Sequence, residues 1–499
     1  MISMSGLVKQ AGIISAADFV RLFVKTVIGI FLARILTQAD FGSYRQLFMI
    51  YTLVSAIFMV GLPQSVYYFI PKSDEETRKK IIAQTIDFIS IFGLAASLLI
   101  IVSRSYIATL FNNPQLYKIL VIYAFYPFFM FVSQLYYNVM IALQKPRQAA
   151  KFVLISIICD FVLILGVAIV TRNLMHIALA IVVSVLIQWI YARLSLKKHI
   201  SGVGLFCYDR DLIKSQFRFS LPIGVAAVIG VISTQIDKLV ISSYFTPELF
   251  AVFSIGATEL PFIGIITNSV NAVILPEMSR RSDDASITDL YRGAVRKNAL
   301  LLFPIFVFCF IFAPHIIQIL YSVKYLDAVI FFRIYLFTMP LRIATYGILF
   351  QVFNKTRYIF IMSLLTLIAN TILSLFLIRY MGIKGPALAA TIVTYSIVAV
   401  YLLLIKRKLD LSLTQLFPVG ALGRTLLASL LSGLIAFPVL FVVKGIFLQF
   451  FTGAFLFLVL YYAIANLTGA ILPYDNNMLR SIFRNLVFRM KGLTNGSKI

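Results

Sequence analysis

Residues 152–170 read FVLISIICDFVLILGVAIV, residues 171–173 read TRN, and residues 174–194 read LMHIALAIVVSVLIQWIYARL. Each apolar run has the length that a helix needs to cross a bilayer, and three polar residues are enough to turn between two such helices. One charge, Asp160, interrupts the first run. The pattern recurs from end to end. Ile13 to Ile35, Tyr44 to Ile70, Ile81 to Val102 and Leu116 to Leu143 precede the pair. Phe219 to Tyr244, Leu249 to Leu275, Ala299 to Tyr321, Ala328 to Phe353, Tyr358 to Ile378 and Gly385 to Ile405 follow it, and Thr425 to Val443 and Phe447 to Ile471 come last. The reading is an all-α polytopic membrane protein of about fourteen transmembrane helices.

Composition agrees. The chain is 61% hydrophobic and 13% charged, about half the charge of a soluble protein. No hydrophilic stretch is long enough for a soluble domain. The net charge of +25 comes from 44 Lys and Arg against 19 Asp and Glu. In a soluble chain that excess suggests nucleic acid. Here the basic residues sit between the spans, so no nucleic-acid partner is expected. Even-numbered connections and the two ends hold about 29 Lys/Arg and the other side about 9, which places both termini and the long loops in the cytoplasm. The first run carries charges and no cleavage site, so it is read as a retained helix.

The chain also repeats. Under a shift of 210, Gln144-Lys145-Pro146-Arg147 falls on Asn354-Lys355-Thr356-Arg357, Asp160 falls on Asn370, and Leu110-Phe111 falls on Leu320-Tyr321. Leu36-Thr37 meets Phe245-Thr246 at a shift of 209. Six spans per repeat give both halves the same orientation, a transporter plan with the cavity between the halves. The expected segments are a six-helix lobe over 1–200, a linker over 201–218 with a short amphipathic helix, a second six-helix lobe over 219–408, two extra helices over 409–473, and a basic amphipathic tail over 474–499 lying on anionic lipid.

Charges within a span must face the bundle interior or a wet cavity. Asp18, Arg21 and Lys25 lie at i, i+3 and i+7, on one face of the first helix. Asp18 can pair with Arg21, while Lys25 has no acid on its own helix, so the face reads as net positive and as cavity lining. Arg342 lies mid-span among Thr338, Thr345 and Tyr346 and is the next cationic candidate. Lys238, Asn268, Asn271 and Gln64 complete the binding candidates. Asp18, Asp87, Asp237 and Glu259 are candidates for a coupling ion. Arg333 can snorkel outward. For Asp160 an interhelical hydrogen bond competes with a functional role. Gly61-Leu62-Pro63, Met339-Pro340, Pro261 and Pro304 are expected kinks. Tyrosines and amides such as Tyr67, Tyr126, Gln134, Tyr137 and Asn138 suit sugar rings, though helix glue is the plainer reading of each.

Three histidines and three scattered cysteines form no metal set, and no Walker motif or HExxH is present. No cofactor, ATP site or catalytic site is expected.

Gly29-Ile30-Phe31-Leu32-Ala33-Arg34-Ile35-Leu36 followed by Asp40-Phe41-Gly42-Ser43-Tyr44 resembles the opening signature of bacterial polysaccharide and lipid-linked oligosaccharide flippases. Gly61-Leu62-Pro63-Gln64-Ser65, Ile236-Asp237-Lys238-Leu239-Val240-Ile241, Leu275-Pro276-Glu277-Met278-Ser279-Arg280 and Ile319-Leu320-Tyr321 resemble later landmarks of that family, which belongs to the multidrug/oligosaccharidyl-lipid/polysaccharide exporter superfamily. The resemblance implies two six-helix lobes in a V around a cationic cavity, alternating access without ATP, and an undecaprenyl-pyrophosphate-linked sugar repeat unit as cargo. Polysaccharide polymerases and glycosyltransferases are implied partners. A pyrophosphate needs cations in low dielectric, and Arg21, Lys25 and Arg342 can supply them. A proton- or sodium-coupled drug/cation antiporter of the same superfamily is the close rival, kept open by Asp18, Asp87 and Asp237. A membrane enzyme of polysaccharide assembly is the rival from another class, disfavoured by short outer loops.

Overall fold

The computed structural model describes residues 4–200, 208–258, 260–281 and 283–473. Among these the chain is helical throughout, and the elements divide by packing into two compact units. The first comprises Met1–Thr258, Leu320–Phe331 and Phe360–Val393; the second comprises Glu259–Ile319, Phe332–Ile359 and Thr394–Ile499.

The first unit opens with α1 (Met4–Ile35), α2 (Gln38–Met59), α3 (Leu62–Phe69) and α4 (Glu75–Leu110). Then come α5 (Gln115–Tyr123), α6 (Phe125–Ala142), α7 (Pro146–Cys159), a π-helical stretch (Asp160–Leu165) and α8 (Gly166–Thr171). Next are α9 (Leu174–Lys197), α10 (Arg210–Tyr244) and α11 (Pro247–Gly256). The second unit holds α12 (Pro261–Ser279), α13 (Asp284–Ile311) and most of α14 (Ala313–Tyr321). The chain continues through α15 (Ala328–Leu336), α16 (Tyr346–Val352), α17 (Arg357–Met381) and α18 (Gly385–Leu404), and ends in the second unit with α19 (Leu413–Leu416), α20 (Val419–Ala436), α21 (Val439–Val442) and α22 (Ile446–Leu467).

Ten stretches among the described residues are long and apolar enough to cross a membrane, and the bent pair α2–α3 makes an eleventh. One of the ten, Arg357–Leu409, contains both α17 and α18. At 32 residues α1 is also long enough, although it carries three mid-helix charges. Together with α11–α12, these stretches are consistent with fourteen spans.

The expected break at Gly61 is present. α2 and α3 meet at 49°. Val60 and Gly61 both take left-handed backbone, with φ 47° and 71°. At this knuckle α10 comes close, and a Cβ on Gly61 would lie 2.5 Å from the Ser220 carbonyl oxygen. Met339–Ile343 forms a 3₁₀ turn that divides α15 from α16, which matches the Met339-Pro340 signal. The other two prolines differ from expectation. Pro261 opens α12 as its first residue, where a missing N–H costs nothing, and Pro304 sits inside an unbroken α13. The polar stretch before residue 219 is likewise not a separate short helix from Arg210 onward. It forms the first turns of the 35-residue α10, capped by Asp209. Residues 201–207 and the tail from 474 lie outside the described residues.

The core of the first unit is built where α3, α4, α6, α7 and α9 meet: Leu62, Val66, Ile86, Phe131, Leu135, Val139, Phe152 and Ala192 are buried together. In the second unit Val307 of α13 packs with Ala436 of α20 and Phe457 of α22. Backbone turns recur with one period. Left-handed residues fall in pairs 210 apart: Asn112 and Ser322, Gln144 and Asn354, Arg172 and Gly382. Beside the second pair, the N–H of Lys145 bonds to the Met140 carbonyl and that of Lys355 to the Phe350 carbonyl, again 210 apart. Lys145 Nζ also reaches His199 Nε2 at 2.7 Å just past α9. Burial and the adjacent cations Lys145 and Lys198 push the His199 pKa down, against a bond to the Ser195 carbonyl that raises it.

Candidate functional site

The first unit encloses a cavity of about 430 Å³. Its walls come from α1, α2, α6, α7, the π-helical stretch and α9. The charged lining is Asp18, Arg21, Lys25 and Asp160; Tyr51, Tyr126, Tyr137, Gln134, Asn138 and Gln188 add aromatic and amide surface.

The i, i+3, i+7 spacing on α1 does deliver Asp18, Arg21 and Lys25 to this cavity. Asp18 and Arg21 form an ion pair at 2.7 Å. The other Asp18 oxygen accepts a hydrogen bond from the Tyr137 hydroxyl at 2.6 Å, and the Arg21 guanidinium lies 5.1 Å from the Tyr137 ring centroid. The Arg21 charge is therefore held by one helix and oriented by another. Lys25 lies deep in the bundle, yet its side chain is open to the cavity. It makes no ion pair or hydrogen bond among the described residues.

Asp160 changes the charge balance read from α1 alone. It lies at the junction of α7 and the π-helical stretch, and it lines the cavity. Ser184 donates to it at 2.6 Å and Gln188 at 3.1 Å, both from α9. Asp160 thus makes the interhelical hydrogen bonds weighed for it, and it also lines the cavity. Two carboxylates face two cations, so the lining is neutral overall, not net positive. The acid that answers Lys25 comes from a residue far away in sequence, which no reading of one helix could supply. The mid-span position of Asp160 was the available signal. Tyr51 and Tyr126, which meet edge-on at 4.9 Å, carried no signal beyond their aromatic character.

The remaining candidates are dispersed. Gln64 is exposed on α3, while the Tyr67 hydroxyl beside it donates to Asn138 at 2.9 Å, one step from the cavity wall. Asp87 lies half-buried on α4. Asp237 is buried on α10 with a carboxylate oxygen on the Lys238 backbone N–H at 2.8 Å, and Lys238 is half-buried. In the second unit, Asn271 donates to Thr345 at 2.9 Å, and Arg342 sits in the 3₁₀ turn between α15 and α16. Arg333 donates to the Phe310 carbonyl near the end of α13 at 3.1 Å and covers the Phe310 ring, so it serves a helix end. Glu259 and the Asn268 side chain lie outside the described residues.

The fold has known counterparts. The solved structure "Lipid II flippase MurJ, inward closed conformation" superposes with a TM-score of 0.74 at 17% identity, over 91% of this chain and 98% of that one. An inward-facing multidrug resistance MATE family transporter of the MOP superfamily matches with a TM-score of 0.57 at 15% identity, over 78% and 94%. A MOP superfamily transporter from Pyrococcus furiosus matches with a TM-score of 0.52 at 14% identity, over 80% and 93%. No curated protein matches the chain in sequence. At these identities the structural likeness establishes the fold. A family profile described as "Lipid II flippase MurJ" matches residues 256–462. A second, described as "Polysaccharide biosynthesis protein", matches residues 31–330, more than half of the chain and the cavity wall from α2 to α9, with the α1 lining residues Asp18, Arg21 and Lys25 lying before the match. By that match this chain, with its charged cavity inside a helical membrane bundle, belongs to the polysaccharide biosynthesis protein family.

Proposed function

We propose that the protein is a flippase of the bacterial cytoplasmic membrane, with both termini in the cytoplasm, that moves a polyprenyl-pyrophosphate-linked oligosaccharide to the outer leaflet for surface polysaccharide assembly, by alternating access and without catalysis of its own. The observation that carries this reading is the state of Lys25. It is a cation deep in a membrane bundle, open to a cavity that it shares with Asp160 but in no direct ion pair or hydrogen bond among the described residues, within a chain of the polysaccharide biosynthesis family. Holding an ammonium there without a direct ion pair is costly, and an anion that arrives to share it relieves that cost. A pyrophosphate is such an anion. Arg21 stands one turn away, pre-oriented by Asp18 and Tyr137. Tyr51, Tyr126, Gln134 and Asn138 offer stacking faces and hydrogen bonds to sugar rings. The profile match and the fold of the lipid II flippase support the same cargo class. Two repeat lobes, over 1–200 and 219–408, are the moving parts in this reading.

The test is reconstitution in liposomes with a labelled polyprenyl-pyrophosphate oligosaccharide and an external enzyme that attacks only exposed glycan. Protein-dependent exposure, lost on Lys25→Ala with Arg21→Ala, supports the proposal. Unchanged exposure with that double variant, normally folded, removes the cavity from it.

One observation favours a second reading. Asp18 and Asp160 put two carboxylates in the same cavity, and the fold is shared with multidrug transporters. Expulsion of a cationic dye under an ion gradient, with no glycan exposure, selects that drug/cation antiporter.

A further inference from the structure

α1 ends at Ile35 and α10 ends at Tyr244, and each leaves carbonyls without helical partners in its last turn. In both helices the carbonyl of the penultimate residue is taken by a side chain from a distant turn. The Arg34 carbonyl accepts from Lys324 Nζ at 3.2 Å. The Ser243 carbonyl accepts from Asn112 Nδ2 at 2.8 Å. Arg34 and Ser243 stand 209 apart, and the left-handed residues of the two donor turns, Asn112 and Ser322, stand 210 apart. Each copy of the repeat thus lends its turn to the helix end of the other copy, in a reciprocal clasp.

Both clasps are reinforced. In the first, Lys324 Nζ also donates to the Leu36 carbonyl at 2.6 Å, Arg34 Nε returns a bond to the Leu320 carbonyl at 2.8 Å, and Gln38 donates to the Lys324 carbonyl at 2.5 Å. A cation over a helix C-terminus is also favoured by the helix dipole. In the second, Asn113 donates to Gln46 at 2.6 Å, and Gln46 donates to the Ser242 hydroxyl at 2.7 Å. Between them α2 and α11 touch at Gly42, where a Cβ would lie 1.9 Å from the Pro247 carbonyl oxygen.

We propose that the two clasps are one paired latch on the outer face, closed here, and that cargo leaves outward only when both release together. This rests on the flippase reading and its orientation. Most of the hydrogen bonds are side chain to backbone, and those of the first clasp and of Asn112 are exposed except for the part-buried bond of Lys324 to the Leu36 carbonyl, so water can replace most of them at small net cost. Contacts of that kind suit a joint that must open in every cycle. The clasps also account for Arg34 and Lys324, two cations on the side of the membrane that is otherwise poor in them.

The test reads the second clasp while the first is altered. In a background with Cys159, Cys207 and Cys309 replaced by Ser, Ser242→Cys is labelled with a charged maleimide in purified protein. Ser242 is wholly buried. Adding Lys324→Ala is expected to speed labelling at least fivefold, and Lys324→Arg to restore the slow rate. Equal rates with and without Lys324→Ala overturn the paired latch, because a purely local contact would not reach the other clasp. Gln38→Ala serves as the alternative disruption if Lys324→Ala does not fold. In liposomes, Leu36→Cys with Lys324→Cys joined by a reducible thiol cross-linker is expected to lower glycan exposure to the protein-free level, and reduction to restore it. Full exposure while cross-linked overturns the latch. Absence of exposure with the unmodified protein counts against the flippase reading alone, and the labelling rates still decide the latch.

Discussion

The hydroxyl of Tyr137 on α6 donates to the Asp18 carboxylate on α1 at 2.6 Å, and so fixes the acid that in turn holds Arg21. The bond ties together two helices that are 119 residues apart in sequence. Tyr137→Phe removes the donor and leaves the ring under the guanidinium. Because the acceptor is charged but partly exposed, we expect a loss of about 1 kcal/mol in stability. Thermal unfolding in detergent measures it, and a midpoint equal to wild type would show that the bond is not formed in solution.

Lys25 is the free cation of the cavity, so its charge should matter for transport and little for folding. Lys25→Ala is expected to fold normally, since the side chain is open to the cavity and makes no direct ion pair or hydrogen bond among the described residues, and to lower glycan exposure by about tenfold or more, the scale of losing one charge-assisted contact. Lys25→Arg should keep a substantial part of the rate. Loss of folded protein in Lys25→Ala would show that Asp160 depends on it.

Asp160→Asn keeps hydrogen-bonding capacity towards Ser184 and Gln188 but removes one of the two negative charges. The lining becomes net positive. Binding of a soluble pyrophosphate-linked sugar, followed by titration calorimetry, should tighten several-fold, because Lys25 then has no competing acid nearby. Unchanged affinity would place the pyrophosphate away from Lys25.

Two glycines hold close approaches that no side chain fits. Gly42→Ala would put a Cβ 1.9 Å from the Pro247 carbonyl oxygen, and Gly61→Ala would put one 2.5 Å from the Ser220 carbonyl oxygen at a φ of 71°. Each should cost roughly 2–4 kcal/mol, through steric overlap and, for Gly61, through left-handed backbone as well. Yield of folded protein by size-exclusion chromatography is the readout. The neighbouring Gly12→Ala and Gly29→Ala, with open space at both sites, should be silent.

His199 gives the pH dependence. Its folded pKa is held below the ordinary histidine value of 6.5 by burial and nearby lysines. As pH falls through 6.5 the unfolded chain takes up a proton that the folded chain refuses, so stability drops, and it levels off once the pH is below the lowered folded value. His199→Gln should flatten that slope between about pH 7 and pH 5. The same slope in both proteins would move the effect to another group.

Sequence alone determined that this chain is a helical membrane bundle, because a bilayer demands long apolar runs and leaves loops to carry the charge. It also determined that Asp18, Arg21 and Lys25 face the same cavity, since a helix brings i, i+3 and i+7 to one side. The Gly61 break was legible because a glycine with a proline two residues on, as in Gly61-Leu62-Pro63, interrupts the helical hydrogen bonds. Only tertiary structure decided the charge of the cavity. Asp160 is far from Lys25 in sequence, and only the packing of α7 against α1 and α9 brings the two to one cavity. It likewise decided what Arg34 and Lys324 do. Their partners are backbone carbonyls 286 to 290 residues away. Every residue has a carbonyl, so a bond to one leaves no mark on the sequence of the acceptor, and packing alone selects which helix end receives which side chain.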